Sequence, residues 1–221
     1  MLSGKEVRMN LEMLQKQNPH LSILDIKGDE FKSYGRVIDW VDLSEVMQYC
    51  AKAEIPKDGN QYEASIQDLE DITAIQDLSQ TVYGGLDVQA GTCIGHNKEL
   101  NGVEYHQGSE TIIAIKDCIL ILGKRQDMVG DTYDGSLTEC FYMKKGEVVE
   151  IYDTSLHYTP CKTEDYFFTI VLLLKGTNGP IEKQQGILMK KNKWFITHSS
   201  MKTKVDEGNY PGLSGKIKYI N

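Results

Sequence analysis

The 221-residue chain has few cysteines, no Cys-x-x-Cys pair and no long apolar segment. Its five cysteines are odd in number, so neither a disulfide framework nor a structural zinc knuckle is indicated. The longest apolar run, 166–174, is far shorter than the ~20 residues that span a bilayer. The N-terminus carries Lys5, Glu6 and Arg8 before any apolar run, unlike a signal peptide. We therefore expect a cytoplasmic protein that makes no membrane contact.

Basic side chains are fewer than acidic ones. With 24 Lys and Arg against 32 Asp and Glu, the formal net charge is −8, which argues against binding to a phosphate backbone. The chain has no Gly-x-Ser-x-Gly nucleophile elbow. The segment 208–212 is expected to be a turn rather than a phosphate loop, because it lacks the Lys-Ser/Thr ending. Nucleic acid is thus an unfavoured partner, and a small-molecule substrate is favoured.

Residues 1–85 show helical periodicity. Ser3 can cap a helix that includes Val7 and ends at Asn18-Pro19. Asp42 and Glu45 form a capping-box pattern before a second helix. Apolar positions from 69 to 78 indicate a third helix that ends near Gly84-Gly85. We predict that this N-terminal helical and extended segment packs on the outside of the second part of the chain.

Residues 86–221 follow a strand pattern instead. Short β-branched and aromatic runs are separated by turn residues, which is typical of a mainly β sandwich or barrel. Asn101-Gly102 is a two-residue hairpin signal, and 124–135 and 180–185 are expected to be loops. The predicted strands are Leu86–Ala90, Val103–His106, Thr111–Ile115, Cys118–Leu122, Leu137–Met143, Glu147–Tyr152, Leu156–Pro160, Tyr166–Leu174 and Trp194–Thr197.

Glu104, His106, Glu110 and the more distant His157 form the most informative pattern. Side chains alternate along a strand, so Glu104 and His106 share one face. Burying carboxylates is costly, and a metal ion can compensate two of them at once. The alternative is a solvated edge-strand face, on which charged residues also alternate with apolar ones. The four side chains predict a divalent transition metal (Mn, Zn, Fe, Co or Ni).

The segment resembles the first metal motif of the cupin superfamily, His-x-His followed after three or four residues by Glu. Glu104 stands at the usual first histidine, His106 at the second, and Glu110 at the glutamate. The second motif places Gly, Pro, Gly and His at fixed spacing, and in this chain these places hold Gly146, Tyr152, Thr154 and His157. Three further motif positions also depart from the pattern, namely Lys98, Asp117 and Cys161. Because Asp tolerates a left-handed turn, Lys116-Asp117 is still expected to form a hairpin. The resemblance implies a cupin-type β-sandwich barrel, or jelly roll, with an N-terminal helical extension.

Over nearly the whole chain, the sequence looks still more like an uncharacterised bacterial family of cupin-like proteins with no assigned activity. The segments that carry this resemblance are Leu100–Glu110, Phe141–Gly146, Leu156–Cys161, Gly176-Thr177-Asn178 and Asn192-Lys193-Trp194. It implies a fold and a metal site and leaves the reaction open. Such barrels often pair through strand edges and added N-terminal segments, so we expect a homodimer.

Four protein ligands leave an octahedral ion two open positions, enough for a hydroxy-carbonyl ligand. We therefore expect isomerase, epimerase or lyase chemistry on a small sugar or polar oxo-acid, through an enediolate that the metal stabilises. Lys193 and His198 are candidate acid or base residues, and Lys175 and Asn178 are candidate substrate contacts, although surface charge or turn capping would also explain each. The alternative function is a metal-dependent sensor that binds a metabolite without converting it.

Overall fold

A six-stranded sheet forms one side of the barrel in the computed structural model, which describes residues 10–221. Its strands are antiparallel, and its central strands are buried on both faces. In spatial order, with numbers that follow the chain, they are β2 (Gly35–Ile38), β10 (Val148–Ile151), β6 (Glu110–Ala114), β13 (Phe167–Leu174), β4 (Val88–Gly95) and β3 (Asn60–Glu63).

Two further sheets complete the sandwich. One contains β1 (Ile23–Asp25), β9 (Glu139–Met143), β7 (Cys118–Lys124), β11 (Ser155–Leu156) and β12 (Cys161–Lys162). The other contains β14 (Leu188–Lys190), β15 (Lys193–His198), β16 (Tyr210–Ser214), β8 (Tyr133–Asp134) and, paired with β15, β5 (Gly102–Tyr105). The expectation of a mainly β sandwich barrel is confirmed.

The apolar core lies on both faces of β7. Leu120 and Leu122 pack towards the six-stranded sheet, whereas Ile119 and Ile121 pack on the other side, against residues of β15 and β16. This alternation follows from the two-residue period of a strand, and it explains why a strand buried on both faces is apolar throughout. The chain thus builds successive layers around β7.

The helices cover the outer face of the six-stranded sheet and one edge of the neighbouring core. Leu69 and Leu78 pack against Ile113 and Ile170 of that outer face. No helix within residues 10–221 is long and apolar enough to cross a membrane. The helices are α1 (Leu11–Gln17), α2 (Ser44–Cys50), α3 (Gln67–Glu70), α4 (Thr73–Val82) and α5 (Lys202–Asp206), with 3-10 helices at Asp29–Ser33, Arg125–Asp127 and Gly135–Leu137.

Helix boundaries differ from the sequence-based predictions in three places. Asn10 caps α1 through a hydrogen bond from the Met13 amide, 3.0 Å long, and the predicted Ser3 cap and Val7 lie outside the described residues. The capping box is wrong, because α2 begins after Leu43 and Asp42 accepts hydrogen bonds from Ser44. The single third helix is wrong, because α3 ends at Glu70 and α4 begins at Thr73.

The first 85 residues also supply strands that local periodicity did not predict. Strand β1 pairs in parallel with β9, β2 pairs with β10 and β3 pairs with β4. The division of the chain at residue 85 stays a prediction, and so does the homodimer.

Two predicted hairpins and one predicted turn are wrong. Strand β5, which begins at Gly102, pairs with β15 and not with β4, because the Asn101 carbonyl accepts hydrogen bonds from Thr197 and His198. The residues between β6 and β7, Lys116 and Asp117 among them, join strands of different sheets. The segment 208–212 is a turn only at Gly208, and its residues from Tyr210 onward already belong to β16. In each case a long-range strand partner overrides the local turn signal.

Gly102 is required by close packing. A Cβ atom at this position would lie 2.5 Å from the ring of Phe195. We predict that Gly102→Ala lowers the free energy of unfolding by ~1–3 kcal/mol, because β5 or the ring must shift. Urea unfolding measures this change. Gly28→Ala is the control, since its Cβ would meet only the flexible end of the Glu30 side chain and the Asp25 carbonyl oxygen at 3.2 Å. Equal unfolding midpoints for the two variants would contradict the prediction.

Candidate metal centre

A short backbone bridge brings Glu104 and His157 together. The Glu104 amide donates to the His157 carbonyl at 2.7 Å, and the His157 amide donates back to the Glu104 carbonyl at 3.0 Å. Glu104 lies in β5, and His106 follows two residues later on the same face. Glu110 is the first residue of β6 in the facing sheet. Four potential ligands from three chain segments therefore face one point.

The side-chain distances group three of these residues and place Glu110 beside the two imidazoles. Ligand atoms of Glu104, His106 and His157 all lie within 4.8 Å of one another. Glu110 Oε2 lies 3.1 Å from His157 Nε2 and 3.6 Å from His106 Nε2. All four side chains are buried, with residue exposures between 1% and 9%. The cluster is a candidate metal-binding site.

The imidazole rings are oriented as metal ligands usually are. Nδ1 of His106 lies 2.6 Å from the Asn192 carbonyl, and Nδ1 of His157 lies 3.2 Å from the Ser155 carbonyl. A ring whose Nδ1 donates to a carbonyl can present the Nε2 lone pair to a metal. Both Nε2 atoms are buried and make no well-aligned hydrogen bond within residues 10–221, although His157 Nε2 lies at ion-pair distance from Glu110 Oε2. These two buried nitrogen atoms beside carboxylates fit a bound cation.

Lys193 supplies positive charge to the same site. It is the first residue of β15, and its ammonium forms an ion pair with Glu104 Oε2. Burial alone would raise the pKa of Glu104, but Lys193, His106 and His157 lower it well below its usual value. Glu104 is thus ionised at neutral pH, with Oε1 directed towards His106 at 3.7 Å.

His157 holds a proton more tightly than an ordinary histidine. Burial lowers the pKa of its imidazole, but the carboxylates of Glu110 and Glu104 outweigh that effect and raise the pKa to about 9. A metal ion requires the neutral imidazole, so it must displace this proton. Proton and metal therefore compete for the same position.

A cavity of about 210 Å³ adjoins the four residues. Its polar lining includes Tyr62, Tyr158 and Asn178, and its apolar lining includes Ile112 and Leu173. Larger depressions of about 530 and 390 Å³ occur elsewhere on the described part of the chain, but neither is lined by histidine. Of these three depressions, the smallest combines candidate metal ligands with space for a small molecule.

The structure brings two of the four other predicted site residues to this cavity. Lys193 and Asn178 line it. Lys175 instead forms a 2.6 Å ion pair with Glu70. His198 lies at the opposite end of β15, about 17 Å along the strand from Lys193, and its ring contacts Ser200 and the Gly215 carbonyl. Neither Lys175 nor His198 lines the cavity.

Three residues near the site were not predicted as functional. Tyr158 lines the cavity and accepts a 2.7 Å hydrogen bond from Lys204. Asn192 has a φ of 56°, a left-handed conformation that asparagine tolerates, and its carbonyl contacts His106. Asn192 could have been found from the sequence, because the segment Asn192-Lys193-Trp194 carries part of the family resemblance. Lys204 could not, because it lies in the five-residue helix α5, which has no buried residues and no recognisable motif.

The fold and the site together define the chain as a mainly β sandwich barrel with a candidate metal centre. Residues 23–217 match the family described as "Domain of unknown function (DUF4867)". The chain belongs to this family. A search of the curated proteins finds no match for the sequence.

Several solved structures are similar over part of the chain. A cupin-like protein of Thermotoga maritima is 15% identical with a TM-score of 0.33, covering 62% of this chain and 90% of that one. A cupin domain of Bordetella pertussis is 10% identical with a TM-score of 0.34, covering 55% and 99%. An oxalate decarboxylase of Lactobacillus farciminis is 12% identical with a TM-score of 0.33, covering 57% and 31%. The chain spans only 28% of another oxalate decarboxylase chain. These TM-scores support no conclusion about activity.

We predict that removing the two imidazoles abolishes metal binding. The purified protein should hold about one divalent ion per chain, and His106→Ala combined with His157→Ala should hold none, because only two carboxylate ligands remain. Elemental analysis measures the metal, and circular dichroism checks that the sheets persist. His198→Ala is the matched control, since its ring lies outside the cavity. Full metal content in the double variant would contradict the prediction.

Metal affinity should depend on pH through His157. Because the pKa of its metal-free imidazole is about 9, the ring is protonated at neutral pH and must lose that proton to bind the ion. We expect the affinity to fall by about tenfold for each unit that the pH drops below that pKa, as for one displaced proton. Calorimetric titration in buffers of different ionisation enthalpy measures the released proton. An affinity that stays constant across neutral pH would show that no proton is displaced.

Proposed function

We propose that the protein is a metal-dependent enzyme that acts on a small sugar or polar oxo-acid by isomerase, epimerase or lyase chemistry. The observation that carries this proposal is the pair of buried Nε2 atoms beside two buried carboxylates, next to a cavity of about 210 Å³. Glu104, His106, Glu110 and His157 would hold the metal. When bound, a divalent ion supplies Lewis acidity that polarises a carbonyl and stabilises negative charge on its oxygen.

The cavity also offers groups that can carry protons. Burial raises the pKa of the Tyr158 phenol above its usual value, so this side chain stays protonated and can donate. Lys204, which donates to the Tyr158 hydroxyl, has a pKa lowered by burial and by Lys193. A lysine with a lowered pKa gives up its proton more readily than an ordinary lysine. Tyr158 and Lys204 would thus form a proton pathway beside the metal.

The presence of such groups favours an enzyme over a sensor. A sensor needs only hydrogen-bonding groups and a metal to hold its ligand, whereas proton transfer needs an acid or base that is not itself a metal ligand. Tyr158 and Lys204 meet that requirement, because neither belongs to the cluster of potential ligands. The sensor remains the second candidate because the same cavity would also hold a ligand without turnover.

The proposed chemistry predicts proton exchange without oxygen. A base removes the proton from the carbon next to the carbonyl, the electron pair moves to the carbonyl oxygen, and a proton returns from solvent to carbon. Metal-loaded protein incubated with pooled sugars and oxo-acids in deuterated water under nitrogen should therefore incorporate deuterium, as read by NMR. The double histidine variant is the control and should incorporate none. Turnover that requires oxygen would refute the proposal, and tight binding without exchange would favour the sensor.

A further inference from the structure

Two lysines lie close to Tyr158 in the part of the cavity wall beside Glu104: Lys193 lines the cavity, whereas Lys204 contacts Tyr158 without lining it. Lys193 lies 5.7 Å and Lys204 4.5 Å from the centre of the Tyr158 ring, so two ammonium groups flank one phenol. Both also lie over Phe195, at 5.5 and 5.3 Å. Within residues 10–221, Lys204 has no carboxylate at ion-pair distance. The chain as a whole has a net charge of −8, so this pair of ammonium groups is a local feature.

The charge balance of the cavity changes when a divalent cation binds. The cation would compensate the carboxylates of Glu104 and Glu110, which are the only acidic side chains that line the cavity among the described residues. Lys193 would then no longer be needed to compensate Glu104, and Lys204 would still have no carboxylate at ion-pair distance within residues 10–221. Uncompensated ammonium groups beside a buried cavity favour an anionic ligand.

Hydrogen-bond donors point to the same conclusion. Because the Lys204 ammonium donates to the Tyr158 oxygen, the hydrogen of the Tyr158 hydroxyl is available to another acceptor. Lys193 and Tyr158 both line the cavity and can therefore donate into it. Charge-assisted bonds of this kind suit a carboxylate, which can accept from both groups at once.

Asn178 requires a hydrogen-bond donor on the ligand, whereas Lys193 and Tyr158 require an acceptor. Its Nδ2 donates to the Tyr62 hydroxyl at 3.1 Å, whereas its Oδ1 is buried and has no hydrogen-bond partner within residues 10–221. A buried acceptor without a partner is costly, so a ligand that places a hydroxyl there would gain a hydrogen bond. The same ligand would thus carry both a hydroxyl and an anionic group.

We propose that the cavity binds a short-chain hydroxycarboxylate, with the carboxylate at Lys193 and Tyr158 and a hydroxyl at Asn178. This inference rests on the proposed metal-dependent function and specifies, among the sugars and oxo-acids it names, those that carry both a hydroxyl and a carboxylate. The volume of the cavity agrees with a short-chain ligand, because about 210 Å³ is smaller than the roughly 300–1,000 Å³ typical of sites for drug-sized ligands. Ile112, Val171 and Leu173 form an apolar surface for the short carbon chain.

Glycerate and glycerol provide a matched pair of probes, since both have three carbons and differ by a carboxylate in place of a hydroxymethyl group. We expect metal-loaded protein to bind glycerate at least about tenfold more tightly than glycerol in calorimetric titrations, which is the effect of one hydrogen bond to a charged group. Lys204→Met and Tyr158→Phe should each weaken glycerate binding by about tenfold and leave the metal content unchanged. Lys202→Met, an exposed position of the same helix, is the control.

Binding of glycerol as tight as that of glycerate, or full glycerate affinity in both variants, would overturn the inference. The two proposals can fail separately. Protein that holds the metal and exchanges protons of a neutral sugar, yet does not bind glycerate, would contradict the hydroxycarboxylate and leave the proposed function intact. Protein that holds no metal but whose glycerate binding is weakened by Tyr158→Phe and Lys204→Met would contradict the proposed function and support the carboxylate site.

Discussion

Two carboxylates buried in one cavity are the constraint on which the local structure depends. Glu104 and Glu110 are 9% and 8% exposed, and ionised carboxylates in such surroundings require compensating positive charge. In the metal-free chain this compensation comes from Lys193 on Glu104 and from the His157 imidazole beside Glu110. Removal of one such partner would leave a buried charge unpaired. A divalent ion would compensate both carboxylates from a single position.

Long-range strand pairing holds these charges in place. Pairing of β5 with β15 sets Glu104 opposite Phe195 and so brings Lys193, two residues away, to the same wall. The bridge between Glu104 and His157 fixes the second imidazole, and Asn192 fixes the first through its carbonyl. The site therefore depends on contacts between residues about 50 to 90 positions apart, and the chain must complete its barrel before the four ligands can converge.

The sequence predicted the strands well where both faces are buried and poorly where pairing is decided at a distance. Strands β7 and β13 are long apolar runs, and the prediction placed them correctly. Strand β3 is exposed and polar, so nothing in its local pattern indicates a strand. For the site, the alternation of side chains along a strand placed Glu104 and His106 on one face. The sequence could not tell that Lys193 reaches the cavity and His198 does not, because this depends on how β15 pairs with β5. Tyr158 and Lys204 become neighbours only through tertiary structure.

The central claim is that the Nε2 atoms of His106 and His157 are held to receive a cation. Diffraction from crystals grown with Mn²⁺ or Zn²⁺, recorded at the absorption edge of the metal, tests it most directly. We expect one anomalous peak per chain, within about 2.0–2.2 Å of both Nε2 atoms and of carboxylate oxygens of Glu104 and Glu110. Anomalous peaks confined to the protein surface, with both imidazoles hydrogen-bonded to water, would contradict the claim.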